Sequence, residues 1–219
     1  MKSVAILLDA GFVKFRLRKL LRTGKITAEQ IYEFALACRA SDEEILRIYY
    51  YDCPPFAEEI RDQRNRDLVL FTPNEKLIAH ETALQNSLAL KDLVAYRRGE
   101  LSFSGWKMPR HAEIELQSDH NKKIEIALRS LKPDFTQKRV DMKIGLDVAW
   151  LASKRICDRI ILVTADSDFI PAMKFARREG TQVVLVPMGT KYIKTVLKEH
   201  ADIIRDVPFP PEASQPQEQ

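Results

Sequence analysis

The sequence is poor in the residues that bind soft metals or form cross-links. It has three cysteines, Cys38, Cys53 and Cys157, an odd number with no C-x-x-C pair, each in or beside an apolar segment. This is the pattern of reduced core residues in a cytoplasmic protein rather than of a disulfide framework. Its four histidines, His80, His111, His120 and His200, include no pair at metal-ligand spacing, which argues against a zinc site. No apolar run approaches the length of a membrane span, and the first, ending at Asp9, is too short for a signal peptide. Asp9-Ala10-Gly11 is followed by no glycine pattern, so a dinucleotide loop is excluded. Residue 11 is glycine rather than a second aspartate, which argues against a haloacid-dehalogenase phosphatase.

What is present is charge, with 35 basic and 31 acidic residues among 219 and a net charge of +4. The basic residues bunch at 14–25, 61–66, 97–98 and 138–143. Such clusters are usually solvated faces, and they bear on nucleic acid only if they surround a reactive site.

The stretch Arg159 to Gly189 organises the chain. The apolar run Ile160–Val163 ends at Thr164-Ala165-Asp166-Ser167-Asp168, a helical pattern runs from Phe169 to Arg178, and Thr181–Pro187 is a second apolar run. Strand, helix and strand in this spacing predict a parallel βαβ unit. Asp166 and Asp168 then stand at a strand's carboxyl end, where open parallel sheets bind ligands. Helix capping by Asp168 or Ser167 is the plainer explanation for one such residue.

Val4–Leu8 predicts a first strand ending in Asp9, then a helix Phe12–Leu21 and a helix Ala28–Cys38 capped by Thr27. Glu44–Tyr51 reads as a second strand, closed by Asp52-Cys53-Pro54-Pro55. Residues 56–71 read as an exposed helix or loop, Asn74–Leu93 as helix, and Arg98-Gly99-Glu100 as a hairpin turn or a strand kink. Gly105–His111 reads as a loop in which Trp106 either stacks on a base or packs in the core, and residues 113–131 as helix and loop. Pro133–Asp141 is expected to be a loop before a helix Val140–Ala152, with Asp141 in its first turn and Asp147 off that face. A short helix Tyr192–Glu199 and an edge strand Asp202–Val207 complete the fold. The expected organisation is one domain over residues 1–207, with a variable section at about 53–131 and a disordered Pro/Gln-rich tail from 208 to 219.

Parallel pairing brings Asp9, Asp141, Asp166 and Asp168 to one rim, where they repel unless a cation sits among them. A hard divalent ion, Mg²⁺ or Mn²⁺, suits oxygen ligands and phosphate substrates. One or two such ions would activate water against a phosphodiester. Lys138 is a candidate for the scissile phosphate and Arg139 a weaker one, while Thr164 and Ser167 are candidates to hydrogen-bond a water at the ion.

The segments VAILLDAGF, QKRVDMKIGLDVAWLA and IILVTADSDFIPAMKFARREGTQVVLVPMG together resemble the NYN domain family, of the LabA or DUF88 type, in the PIN-like superfamily. The resemblance implies a PIN-like three-layer α/β/α sandwich with a mostly parallel central sheet, and a metal-dependent endoribonuclease or RNA-processing protein. Asp9, Lys138, Asp141, Asp147, Asp166 and Asp168 fall on its motif positions, Asp147 either orienting Lys138 or making a structural contact. The family's Asn soon after the first Asp is absent, and Ala165 replaces its usual Gly. The expected partner is single-stranded or structured RNA, with no membrane and with a possible homo-oligomer. The competing expectation is a non-catalytic RNA-binding or protein-interaction module that keeps the fold.

Overall fold

The computed structural model describes residues 1–119, 121, 123–127, 130–190 and 193–210. Six strands form one parallel sheet: β1 (Lys2–Asp9), β2 (Glu43–Asp52), β5 (Val94–Arg98), β8 (Arg159–Val163), β9 (Gln182–Leu185) and β10 (Ile203–Ile204), in the order β10-β9-β8-β1-β2-β5. Strands β1 and β8 are buried along nearly their whole length, as their unbroken apolar sequences require.

Alternate residues of each strand serve opposite faces. Val4, Ile6, Leu8, Ile161 and Val163 pack with α1 (Ala10–Leu20), α2 (Ala28–Ala37) and α3 (Glu75–Ala89). Ala5, Leu7, Ile160 and Leu162 pack with α5 (Val140–Ser153), α6 (Ile170–Arg178) and α7 (Thr195–Glu199). The result is the expected α/β fold of three layers around a parallel sheet. The capping box predicted at Thr27 is present, with Gln30 as its partner.

Strand order reverses between β1 and β8. From β1 the chain builds outward through β2 to β5, and after α5 it returns to β1's other side and builds through β8 to β10. Helices following β1 and β8 pack on opposite faces, the arrangement in which open α/β sheets take ligands above the carboxyl ends of the two strands.

The middle of the chain differs from its sequence reading. Residues 56–71 include a short antiparallel pair, β3 (Ile60–Arg61) with β4 (Val69–Phe71). The expected loop Pro133–Asp141 is mostly strand: β7 (Lys132–Lys138) pairs antiparallel with β6 (Glu100–Lys107). Trp106 therefore lies in a strand rather than a loop, with Phe103 edge-on to it at 5.3 Å. Phe56, Phe71, Phe103 and Phe135 interlock at centroid distances of 4.7–6.5 Å, a small apolar centre assembled from residues far apart in sequence. Residues 110–118 form α4 (Arg110–Ser118).

Gly99 is neither a hairpin turn nor a kink within one strand but the passage between two sheets. A methyl group there would lie 2.6 Å from Cγ2 of Val140 and 2.8 Å from Sγ of Cys53. The absent side chain lets α5 begin against the end of β5. The last short helix covers Thr195–Glu199, and Tyr192, with which the sequence pattern began it, lies outside the described residues, as do positions 211–219 of the expected tail.

Candidate functional site

Register puts Leu8 beside Val163, so Asp9 and Thr164 emerge side by side at the strand-order reversal. The buried Thr164 hydroxyl donates to Oδ2 of Asp9 at 3.3 Å and accepts from the Asp166 N–H at 3.1 Å. Oδ1 of Asp9 faces the Phe12 N–H at 3.4 Å and caps α1. Oδ1 of Asp166 accepts from the Asp168 N–H at 2.9 Å, capping the 3-10 turn Ser167–Phe169 that leads into α6. Two of the four rim aspartates, Asp9 and Asp166, thus also act as caps, where the sequence pointed to Asp168 or Ser167 for that role.

Capping leaves their charge uncompensated. Burial is the largest influence on Asp9 and raises its pKa above the ordinary 3.8; the Phe12 and Thr164 hydrogen bonds oppose this, and the charges of Asp141 and Asp166 add to the rise. Asp141, in the first turn of α5, is raised likewise by burial and then by the charges of Asp166 and Asp168. The structure therefore brings Asp9, Asp141, Asp166 and Asp168 into one electrostatic neighbourhood. Among the described residues no group of three or more His, Cys, Asp or Glu side chains is arranged to hold a metal ion. The four aspartates form a charge cluster, not a ligand cage.

The donor chemistry nevertheless fits a hard divalent cation. Mg²⁺ is commonly held by one or two carboxylates, with water and substrate phosphate supplying the remaining oxygens. A cation would offset both the burial and the mutual repulsion that raise Asp9 and Asp141, and among the described residues no Lys or Arg forms an ion pair with any of the four aspartates.

The other residues singled out by sequence are dispersed. Lys138 is exposed at the end of β7 opposite Glu100 and makes no described side-chain contact with the aspartates. Arg139 adopts φ 70° and pairs with Glu100, which turns it away from the rim. Asp147 does not orient Lys138. Its Oδ2 accepts from the Tyr51 hydroxyl at 2.8 Å, and Arg97 donates from Nη2 to Oδ1 at 3.0 Å, with Nε at an ion-pair distance of 3.0 Å from Oδ2. This is a structural tie between α5, β2 and β5.

Two features at the same edge were missed. Lys194, exposed ahead of α7, donates to Oγ of Ser167 at 2.9 Å and so brings a cation beside the acidic turn. Its only sequence signal is a lysine shortly after the carboxyl end of β9. Asp52 ends β2 as Asp9 ends β1, and a parallel between the two strand ends was available from the sequence. Its partners were not: Lys14 Nζ lies 2.8 Å from Asp52 Oδ2 and 2.9 Å from Glu81 Oε2, while Tyr50 and Gln85 also donate to Oδ2 at 3.2 and 3.0 Å. Burial works to lower the Lys14 pKa, but the two carboxylates outweigh it and the net shift is upward. Asp52 is thus neutralised internally, and Asp9 on the adjacent strand is not.

No helix among the described residues is long and apolar enough to cross a membrane. No curated protein matches the sequence. Among solved structures, the chain is similar to a protein of unknown function from Vibrio parahaemolyticus RIMD 2210633, at 18% identity and a TM-score of 0.46, over 95% of this chain and 94% of that one. The NYN domain model matches residues 4–207, which include β1, β8 and all four rim aspartates. The chain belongs to the NYN domain family, within the PIN-like superfamily.

Proposed function

We propose that this protein is a divalent-metal-dependent endoribonuclease acting on single-stranded or structured RNA in the cytoplasm. The fold belongs to a nuclease-associated superfamily. The observation that carries the reading is the gathering of Asp9, Asp141, Asp166 and Asp168, none with an ion-pair partner among the described residues, at the strand ends where strand order reverses. Clusters of perturbed carboxylates in clefts are candidates for function.

Asp9, Asp141 and Asp166 would hold Mg²⁺ or Mn²⁺, with Asp168 contributing directly or through water. Such an ion, when bound, polarises a phosphodiester and lowers the pKa of the attacking water. The protein's own groups supply the rest. Thr164 orients Asp9, Ser167 and Lys194 offer hydrogen bonds and positive charge to a phosphate at the acidic turn, and Lys138 can meet the chain of phosphates as it leaves. These contacts position a substrate without reading its sequence.

The test is cleavage of a labelled single-stranded RNA pool with Mn²⁺, Mg²⁺ or EDTA, by wild type and by Asp166→Asn prepared identically. Cleavage that needs the cation and is lost in the variant supports the assignment; equal trace cleavage by both proteins rejects it. A non-catalytic RNA-binding or regulatory module is the second reading. It is favoured by the capping roles of Asp9 and Asp166 and by Phe12 standing where the family carries Asn. RNA affinity that falls steeply with salt but ignores EDTA, without cleavage, would select it.

A further inference from the structure

A cavity of about 480 Å³ lies at the amino end of the sheet, between the carboxyl half of α6, the start of β9 and Asp202 just ahead of β10. Gln182 pairs with Arg159, the first residue of β8, so about 16 Å of strand separates the cavity from the aspartate rim. Lys174, Arg177 and Arg178 share one face of α6 and line the cavity together with Thr181, Gln182 and Asp202.

The free polar groups of this lining are donors. Lys174 and Arg178 make no ion pair or hydrogen bond with any described residue. Thr181 is 4% exposed, and its hydroxyl has no hydrogen-bond partner among the described residues. The side-chain oxygen of Gln182 accepts from Lys2 Nζ at 3.1 Å and from Arg159 Nε at 2.8 Å, which leaves its NH₂ group free. Asp202 is the one carboxylate in the lining, and both its oxygens are taken, Oδ1 by Arg177 Nε and Oδ2 by the Val183 N–H, each at 2.8 Å. Glu179 and Glu199, on the same elements, do not line the cavity, and Asp158 accepts from Ser3.

Cations in the last turn of a helix complement its dipole, which accounts for the charge of Arg177 and Arg178. It does not account for Lys174 one turn earlier, nor for the hydroxyl of Thr181, since buried polar groups are as a rule hydrogen-bonded.

We propose that this cavity binds a phosphate monoester the size of a sugar phosphate or nucleotide, at a site separate from the aspartate rim. An ionised phosphate accepts hydrogen bonds and donates none, which suits a space whose carboxylate and amide oxygens are all engaged. Three cations against one carboxylate leave a surplus of two positive charges. That surplus matches the nearly twofold charge of a monoester better than the single charge of an RNA backbone phosphodiester. The volume lies in the range of small-molecule sites. No aromatic ring lines it, so the ligand is held through its phosphate rather than through a base.

The full-length chain in EDTA is titrated calorimetrically with ribose 5-phosphate and with adenosine 5′-monophosphate. At least one should bind with a Kd below about 1 mM, while ribose and adenosine should not bind. Thr181→Val removes the hydroxyl, and Gln182→Glu exchanges the NH₂ donor for an oxygen while keeping an acceptor for Lys2 and Arg159. Each should weaken binding about tenfold with an unchanged circular dichroism spectrum. Lys174→Ala/Arg178→Ala should abolish it, and Lys198→Ala, which removes an exposed cation of α7 outside the cavity, should leave it as it was.

Failure of both monoesters to bind overturns the proposal, as does wild-type affinity in Thr181→Val and Gln182→Glu. Equal competition by sulfate, or an equal loss in Lys198→Ala, also overturns it, because either marks general attraction to surface charge. A single-stranded RNA oligonucleotide without terminal phosphates tests the other source of phosphate: if it displaces the bound monoester, the cavity takes the RNA backbone and the assignment fails.

Discussion

The Thr164 hydroxyl reaches Oδ2 of Asp9 at 3.3 Å across the boundary where the sheet changes direction. One hydrogen bond thus joins the first strand of the chain to the segment after its fourth parallel strand. It fixes an aspartate whose ionised form is disfavoured by burial and by its neighbours. The carboxylate is held in place at an energetic cost, as expected of a group kept for binding rather than for stability.

That cost has a sign that can be measured. The folded pKa of Asp9 lies above the unfolded value of 3.8, so its favourable contribution to folding is complete below 3.8 and is lost as pH rises through the folded value. At pH 7 in EDTA, Asp9→Asn should therefore melt at a higher temperature than wild type, since Asn also caps helices well. Mn²⁺ or Mg²⁺ should raise the wild-type Tm, by about 2.7 kcal/mol of stability at a hundredfold excess over Kd, and barely move the variant. Thermal melts in the two conditions check this, and a variant less stable than wild type in EDTA contradicts it.

Lys194 and Lys138 should behave differently. Lys194 touches the acidic turn through Ser167, whereas Lys138 is exposed at the end of β7. Both changes to Ala should reduce the slope of log affinity against log salt by about 1 if each meets a phosphate. Only Lys194→Ala should also lower kcat in cleavage, which single-turnover assays would resolve.

The Lys14 ammonium neutralises two carboxylates, Asp52 and Glu81, that are 3% and 12% exposed. Lys14→Met should cost about 3–5 kcal/mol, because the buried charges lose their counter-ion. Urea denaturation of this variant and of Lys14→Met/Asp52→Asn gives the coupling, with the double variant recovering part of the loss.

At the opposite end of the sheet, Glu43 is fully buried and accepts from Arg159, Arg205 and the Ala40 N–H at 2.7–2.8 Å. Burial by itself would raise this carboxyl. The hydrogen bonds from Arg205, Ala40 and Arg159 outweigh it and bring the pKa from 4.5 down to about 2. Its stabilising contribution is present above pH 4.5 and is lost as pH falls through about 2. Glu43→Gln should be less stable than wild type at pH 7, and the gap should narrow as acid protonates the native carboxylate.

Gly99→Ala should shift the start of α5, where a methyl would overlap both Val140 and Cys53. The expected penalty is about 1–3 kcal/mol, as for other overpacked sites, with weaker metal binding through displaced Asp141. Isothermal titration with Mn²⁺ alone reads the second effect.

The parallel core was legible because its signal is local. The runs VAILL and IILV are apolar throughout, and each passes into a turn and a helix with caps the sequence displays. The rim aspartates were legible for the same reason. The hairpin of β6 and β7 was not: KPDFTQK contains proline and no clean alternation, and becomes strand only because ELSFSGWK pairs with it. Lys14, Asp52 and Glu81 lie on three elements, and nothing in the order of the chain announces that they meet. Asp147 showed the converse difficulty, since its place in a motif concealed its ties to Tyr51 and Arg97.

The reversal of strand order also schedules when the cluster can exist. A polypeptide emerging from the ribosome and halted before Val140 carries one of the four aspartates; the other three, Asp141, Asp166 and Asp168, follow it. Assembly of the rim coincides with insertion of β8 against β1.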